Sequence, residues 1–215
     1  RMKRILYLLS ILLRVFVVFF YLSILWVGIY SFFPIPMTPL MVLRSAQNLE
    51  EFKPGEILYT WKSASEISRH VSTAMIAAED SSFYDHMGFD FEAINRAWRY
   101  NSTHKSKLKG GSTISQQLAK NIFLWPDRSW FRKLLETYFT GLIEVFWTKD
   151  RILEVYMNVV ELGRNTYGVE AAAQSFFGKS ALKLNRSEAA LLAAVLPNPR
   201  NWLVRAPSSY VRFRQ

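Results

Sequence analysis

Residues 110–121 read GGSTISQQLAKN, and this stretch shows the pattern that recurs along most of the chain, a capping residue followed by a helix. Thr113 and Gln116 have the spacing of a capping box, in which two side chains satisfy the free amides of a helix start. Apolar residues then recur on one helical face at Ile114, Leu118 and Ile122, and polar residues share another face at Gln117, Lys120 and Asn121. The stretch therefore predicts an amphipathic helix.

Similar boundary signals on both sides predict six further helices. They are a helix capped by Ser63 and Glu66 that ends near Glu79, one capped by Asp90, one that begins at Ser129, one over 149–161 that ends at Gly163, one over 168–177 closed by Gly178, and one capped by Asn185 and Glu188. Only residues 56–61, EILYTW, alternate as a strand does. The predicted fold class is mainly α.

Composition excludes several classes of protein. Half of the 215 residues are apolar and 20% are charged, so the chain is neither disordered nor of low complexity. The absence of cysteine excludes a disulfide framework, a zinc–thiolate site and a cysteine nucleophile. The net charge of +10 suits an anionic partner such as a phosphate-bearing ligand or a membrane surface, but does not decide between them.

The amino-terminal region predicts a membrane anchor. Residues 15–33 contain no charge, and about 20 apolar residues are enough to span a bilayer as a helix. Basic residues flank only the amino-terminal side, so the positive-inside rule places the amino terminus in the cytoplasm and the remainder outside. We expect a basic stub and transmembrane helix over 1–33, an extended proline-containing connector over 34–48, and one catalytic domain over 49–215.

The stretch EDSSFYDHMGFD, residues 79–90, is the first candidate for chemistry. Glu79 lies at the end of an apolar helix, where the helix dipole and the neighbouring Asp80 both raise a carboxyl pKa toward the range of a general base. The alternative is a solvated turn whose Asp85, His86 and Asp90 cap neighbouring helices, and these residues alone favour that alternative.

The stretch 127–144 is the second candidate. Arg132 and Lys133 precede Glu136 by about one helical turn, so the three side chains can meet on one face. As an exposed group they would contribute only a few tenths of a kcal/mol to stability. Turned inward toward Glu79, they would form a site with two carboxylates and several cations, which can activate a hydroxyl and stabilise a departing phosphate. The spacing leaves both arrangements open.

Five motifs in order resemble the signature of the bacterial peptidoglycan glycosyltransferases, glycosyltransferase family 51. They are EDSSFYDHMGFD, GGSTISQQLAKN, RKLLETYFTGLIE, KDRILEVYMNVVELG and the block from AAAQSFFGKS to AAVLPNPR. The resemblance covers roughly residues 50–205. It implies a lysozyme-like helical domain with a small membrane-associated jaw, and polymerisation of lipid II into β-1,4 glycan strands with release of undecaprenyl diphosphate.

The resemblance also implies roles for particular residues. Glu79 is the expected general base and Glu136 the second carboxylate of the site. Lys120 and Arg128 are expected to hold the diphosphate of the donor. The other expected substrate-binding residues are Gln117, Thr113, Asn121, Asp80, Phe83, His86, Ser112 and Arg132.

The resemblance sets the expected cofactors and partners as well. No cofactor is required; a divalent cation, Mg²⁺ or Mn²⁺, on the diphosphate is compatible with the chemistry, although the sequence offers no dedicated metal cage. The expected partners are lipid II, the growing glycan, the bilayer of the bacterial inner membrane, and penicillin-binding and division proteins, with no nucleic acid. Two alternatives remain open: a lysozyme-like hydrolase or lytic transglycosylase, and a non-catalytic membrane-anchored scaffold of cell-wall synthesis.

Overall fold

The computed structural model describes residues 2–50, 56–104, 110–127 and 129–215, without the side chains of 48–50. The chain divides into two units, residues 1–34 and 35–215. The helices of the described residues are α1 (Met2–Phe32), α2 (Pro39–Glu50), α3 (Arg69–Glu79), α4 (Phe91–Thr103), α5 (Ile114–Phe123), α6 (Trp130–Phe146), α7 (Lys149–Val159), α8 (Val169–Phe177), α9 (Arg186–Val195) and α10 (Ser209–Arg214). The strands are β1 (Leu58–Tyr59), β2 (Glu161–Gly163) and β3 (Thr166–Tyr167). The prediction of a mainly α fold is confirmed.

The first unit is the helix α1. It has a mean hydropathy of 2.5 in its most apolar window, and among the described residues it is the one helix long and apolar enough to cross a membrane. The helix extends upstream of the uncharged stretch to Met2, because the apolar run continues before Arg14 without a helix-breaking residue. These properties are compatible with a single-pass membrane anchor.

The prediction of an extended connector is wrong for most of its length. Only residues 34–38 are irregular, and α2 begins at Pro39. Proline fits the first position of a helix, where its fixed φ is helical and its missing amide hydrogen would have no partner within the helix. Pro34 and Pro36 therefore lie in a short break between α1 and α2, and Pro39 is the first residue of α2.

Most of the predicted helix caps are present. The side chains of Asp90, Thr113, Ser129 and Asn185 each accept a hydrogen bond from a backbone amide in the first turn of the following helix. Gly178 ends α8 in the left-handed conformation, at φ 67°. These signals are local in sequence, which explains why the sequence alone located them.

Two predicted boundaries are wrong. The capping box of Ser63 opens a single 3-10 turn, and α3 begins only at Arg69, where the Ser68 side chain accepts from the His70 amide. The helix predicted to reach residue 161 ends at Val159, because the next residues form β2. β3 pairs antiparallel with β2 and parallel with β1, so the one predicted strand joins a three-stranded sheet.

Helix α5 lies at the centre of the second unit. It packs against α6 and α7, while α3 packs against α9. Phe123 of α5 stacks on Phe139 of α6 with ring centroids 4.4 Å apart. Asn158 of α7 exchanges two hydrogen bonds of 2.8 Å with the backbone of Lys62, which fixes the segment before α3 to α7. The packing brings the end of α3, the polar face of α5 and the start of α6 together.

Candidate active site

Glu79 is the last residue of α3, and the polar face of α5 holds its carboxylate. The Gln117 side-chain amide donates to Glu79 Oε2 over 2.7 Å. The hydroxyl of the fully buried Tyr156 in turn donates to Gln117 Oε1 over 3.0 Å. Tyr156 thereby fixes which end of the Gln117 amide faces Glu79, and the carboxylate receives a defined donor.

The pKa of Glu79 is raised above its ordinary value, chiefly by burial. The hydrogen bond from Gln117 and the positive charges of Arg214 and Lys120 act in the opposite direction. Asp80 also raises this pKa, but its effect is the smallest of the five. The predicted direction therefore agrees with the structure, while burial accounts for more of the shift than the neighbouring acid.

Two cavities meet at Gln117. The larger, of about 970 Å³, contains Glu79 in its wall together with Tyr100, Ser112, Trp202, Tyr210 and Arg214. The smaller, of about 590 Å³, is lined by Lys120, Asn121 and Arg132 together with Arg44, Glu161 and Arg200. Gln117 and Pro197 belong to both linings. Glu79 thus lines one of two cavities that share Gln117, and the cations Arg44, Lys120, Arg132 and Arg200 line the other.

The acid–base group at the start of α6 turns inward. Arg132 and Glu136 are only 9% and 3% exposed, and Arg132 Nη1 donates to Glu136 Oε2 over 2.6 Å. Lys133 also donates to the Glu136 carboxylate. Burial lowers the pKa of Lys120, and the negative charge of Glu136 partly restores it. Of the two arrangements left open by the spacing, the structure contains the inward one.

Asp80, His86, Gly88 and Thr113 form a hydrogen-bonded group that we call the clamp. The Asp80 carboxylate accepts from the Ile114 amide at 3.0 Å and contacts His86 Nε2 at 2.9 Å. The Gly88 amide donates to His86 Nδ1 at 3.1 Å, which assigns the imidazole proton to Nε2. Thr113 Oγ1 donates to the Gly88 carbonyl at 2.7 Å. The clamp fixes the loop after α3 to the start of α5.

Phe83 is also part of the scaffold in this structure. Its ring is fully buried, and Lys149 Nζ lies 4.6 Å from the ring centroid. Lys149 also pairs with Glu144 at 2.9 Å, and Glu144 accepts a hydrogen bond from Ser115 of α5. Phe83 therefore joins the loop after α3 to α6 and α7 through packing and charge.

The structure brings together most of the residues predicted for the site, in two groups. Glu79, Gln117, Lys120, Asn121, Arg132 and the exposed Ser112 line the two cavities, and Glu136 joins this group through the hydrogen bond that it accepts from Arg132. Asp80, His86, Thr113 and Phe83 have their polar groups or rings engaged within the protein. Arg128, predicted to hold the diphosphate, lies outside the described residues.

The sequence did not indicate several residues that the structure places at the site. Tyr156 orients Gln117, Arg214 faces Glu79, and Arg44, Glu161 and Arg200 line the smaller cavity. Tyr156 lies within the fourth motif, so its position in a motif was the available signal. Arg44 and Arg214 come from helices outside the five motifs, and no local pattern distinguishes them from surface arginines.

Comparison with known proteins identifies the family of this chain. A family model described as "Transglycosylase" matches residues 46–215, and the chain belongs to this family. The relatives it resembles include three proteins named "Biosynthetic peptidoglycan transglycosylase". The protein of Bdellovibrio bacteriovorus is 52% identical over 95% of this chain and 81% of its own length. Those of Caulobacter vibrioides and Bacteroides thetaiotaomicron are each 48% identical, over 95% and 94% of this chain and 86% and 82% of their own lengths.

These matches confirm the assignment to the peptidoglycan glycosyltransferases that the five motifs indicated. The protein is an enzyme of the glycosyltransferase class. The family match includes both cavities except for Arg44 and Leu40, which precede it.

Proposed function

We propose that this enzyme polymerises lipid II into β-1,4-linked glycan strands and releases undecaprenyl diphosphate. The observation that carries the proposal is that Glu79 and Lys120 line two cavities that share Gln117. Transfer of a sugar from a diphosphate needs a base at the attacking hydroxyl and positive charge at the leaving group. Glu79 is available as the base, and Lys120 supplies positive charge in the cavity that shares Gln117.

Glu79 is the general base of the proposed reaction. Its carboxylate takes the proton of the acceptor sugar's 4-hydroxyl as that oxygen bonds to the anomeric carbon of the donor. The bond between this carbon and the diphosphate oxygen breaks on the opposite face, so the configuration at the anomeric carbon inverts. Burial supports this role because it raises the pKa of Glu79, and a base whose pKa lies closer to the operating pH accepts a proton more readily.

Lys120 and Arg132 stabilise the charge that develops on the departing diphosphate. Glu136 holds Arg132 and Lys133 in place, which is why we assign it a positioning role rather than proton transfer. Arg128, which follows the segment that lines the smaller cavity, is proposed as a further diphosphate ligand on the basis of the family resemblance. Cations fixed in advance stabilise such charge without reorganising during the reaction.

A divalent cation is not assigned a site on the protein. Among the described residues no group of three acidic or histidine side chains is placed to hold a metal, and Glu161 in the smaller cavity already lies between two arginines. These residues do not form a set of metal ligands, and the steps of the proposed reaction involve only protein side chains and substrate. We propose that a divalent ion would enter with the diphosphate and be held mainly by its oxygens.

The membrane is the proposed location of the substrate and of the enzyme. Helix α1 would anchor the chain in the bacterial inner membrane with the amino terminus in the cytoplasm. In the segment 122–131, Trp130 and Phe131 are 91% and 63% exposed, whereas Ile122, Phe123 and Leu124 are buried. We propose that the exposed aromatic end of this segment contacts lipid, since such rings suit a membrane interface.

The test is polymerisation of labelled lipid II by the full chain in detergent, compared with Glu79→Gln. The variant keeps an oxygen that accepts the Gln117 hydrogen bond, so we expect it to fold and to lose about 10³-fold in turnover, within the range for loss of a general base. The matched control is Glu92→Gln, whose side chain is 88% exposed. Muramidase must degrade the product of the parent enzyme; a Glu79→Gln variant with parental turnover contradicts the proposed base.

The same assay separates the transferase from a lysozyme-like hydrolase. A hydrolase acts on polymeric glycan, which has no diphosphate leaving group, and Lys120→Ala would leave its rate unchanged. The proposed transferase instead requires Lys120 and acts on lipid II. Cleavage of preformed glycan by the parent, without polymer formation, would favour the hydrolase.

A further inference from the structure

Most of helix α2 lies before the family match, which begins at residue 46, yet the helix forms part of the smaller cavity. The hydroxyl of Tyr59 donates to the Ile35 carbonyl, and Thr38, Met41 and Ile35 are at most 1% exposed. Leu40 lines the cavity, and Arg44 lies one helical turn later on the same face and lines it too. The contacts before and within the first turn of α2 therefore hold Arg44 at the cavity.

Arg44 and Arg200 flank one carboxylate, that of Glu161. Each Nε lies 3.9 Å from a Glu161 oxygen, which is beyond the 2.7–3.2 Å of a hydrogen bond. Arg44 Nε is buried, and within the described part of the chain it has no hydrogen-bond partner. Glu161 thus attracts both guanidinium groups while leaving hydrogen-bonding capacity on Arg44 unused.

The lining of the smaller cavity as a whole carries more positive than negative charge. Lys120 and Arg132 line the same cavity, and Arg132 Nε is likewise buried without a hydrogen-bond partner among the described residues. Burial raises the pKa of Glu161, while Arg44, Arg200 and Lys120 lower it, so these cations act on a single carboxylate. Buried donors without acceptors are costly, and a ligand with several anionic oxygens would satisfy them.

We infer that Arg44 and Arg200 are further cationic ligands of the diphosphate site, in the cavity that Lys120 and Arg132 also line, and that Glu161 competes with the ligand for both guanidinium groups. The inference rests on the proposed function, because it takes the ligand to be the diphosphate of a lipid-linked sugar. A phospholipid headgroup carries the same phosphate chemistry, so the experiments separate the two sources. On this inference the helix that follows the membrane anchor contributes directly to substrate binding.

The first experiment compares variants whose expected effects have opposite signs. Arg44→Gln should raise the KM for lipid II about ten-fold, as expected for loss of one charge-assisted hydrogen bond to phosphate, and Arg44→Lys should recover part of that loss. Glu161→Gln should lower the KM, because it removes the competing carboxylate. Arg186→Gln, at an exposed position of α9, is the control for loss of one positive charge and should leave the KM unchanged.

A purely structural role predicts a different pattern. Arg44→Gln and Glu161→Gln would then both lower the temperature of thermal unfolding and both reduce turnover. That outcome, or an unchanged KM in Arg44→Gln, would overturn the inference while leaving lipid II polymerisation by the parent intact.

A binding measurement tests the inference without turnover. Inorganic diphosphate should raise the unfolding temperature of the detergent-solubilised full chain, with a smaller effect on Arg44→Gln and a larger one on Glu161→Gln. Equal protection of Arg44→Gln and parent contradicts the diphosphate contact even if the parent proves inactive on lipid II. If Arg44→Gln instead loses only its binding to phosphatidylglycerol vesicles relative to phosphatidylcholine vesicles, the ligand is a headgroup and the inference is overturned.

Discussion

The clamp and the smaller cavity both contain charged motif residues, but their hydrogen bonding differs. In the clamp, both carboxylate oxygens of Asp80 and both ring nitrogens of His86 have partners within the protein. In the cavity, Glu161 contacts its two arginines at 3.9 Å, and the Nε atoms of Arg44 and Arg132 are unused. We therefore propose that the clamp acts as a scaffold and that the unused donors beside the cavity serve ligand binding, since buried polar groups without a partner are rare in folded proteins.

Among the substitutions that compare the clamp with the smaller cavity, replacement of Lys120 should have the largest effect, and this effect should be on the reaction rather than on stability. Lys120→Met removes a cation proposed to stabilise the leaving group, and we expect turnover of lipid II to fall about 10²–10³-fold, as for loss of one electrostatic contact in a transition state. Burial lowers the pKa of Lys120, which means that folding disfavours its charge, so the unfolding temperature should stay the same or rise. Steady-state kinetics and thermal unfolding measure the two effects.

The exposed Lys183→Met is the matched control for the loss of a lysine. A large drop in the unfolding temperature of Lys120→Met, at full activity per folded molecule, would assign Lys120 to the scaffold and remove the distinction between the two regions.

Replacement of Asp80 should fall on stability instead. Asn presents one acceptor oxygen where the carboxylate presents two, so Asp80→Asn leaves a buried donor of the clamp without an acceptor. The expected loss in free energy of unfolding is about 1–3 kcal/mol. Chemical denaturation measures it, with the exposed Asp85→Asn as the control.

Below its unfolding temperature, Asp80→Asn should lose much less turnover than Lys120→Met. Wild-type stability combined with a turnover loss as large as that of Lys120→Met would show that Asp80 acts on the substrate rather than through the clamp.

The smallest expected effect is a shift in pH dependence. A base must be deprotonated to act, so kcat/KM should rise with pH around the pKa of Glu79, with a midpoint above the ordinary value of 4.5. Arg214 lowers this pKa, and Arg214→Gln should therefore move the midpoint to higher pH. Arg212→Gln, on the same helix and exposed, is the control and should leave the midpoint in place.

The raised pKa of Glu79 also determines how its contribution to folding stability changes with pH. Since the pKa of Glu79 is higher in the folded state, its contribution to stability falls as the pH rises from about 4.5 through the folded-state pKa. Glu79→Gln should flatten this part of the stability profile. A midpoint of kcat/KM that moves to lower pH in Arg214→Gln would contradict the electrostatic account.

Much of the fold was predictable because its signals are local. The caps at Asp90, Thr113, Ser129 and Asn185, and the glycine at 178, place helix boundaries through contacts within a few residues. The start of α3 and the strand β2 were not predictable in this way. The first depends on Ser68, whose hydroxyl also donates to the Leu184 carbonyl far along the chain, and the second depends on pairing with β3, so neither is decided by its own few residues.

Many residues of the site were predictable from the sequence, but their positions relative to the two cavities were not. The motifs selected Glu79, Lys120 and Glu136 together with the clamp residues as one set. They could not separate residues that face a cavity from residues that bond within the protein, because both kinds are polar and lie at helix ends. Arg44, outside the motifs, joins the site only through the packing of α2.

The sequence by itself determined the helical class, most helix boundaries, the apolar amino-terminal helix and the family, because caps, periodicity and motif order are properties of nearby residues. Only the tertiary structure decided that Arg132 and Glu136 turn inward, that Tyr156 orients Gln117 and that Arg44 reaches the cavity. Burial and ion pairing depend on which helices pack together, and burial is also the main cause of the raised pKa of Glu79.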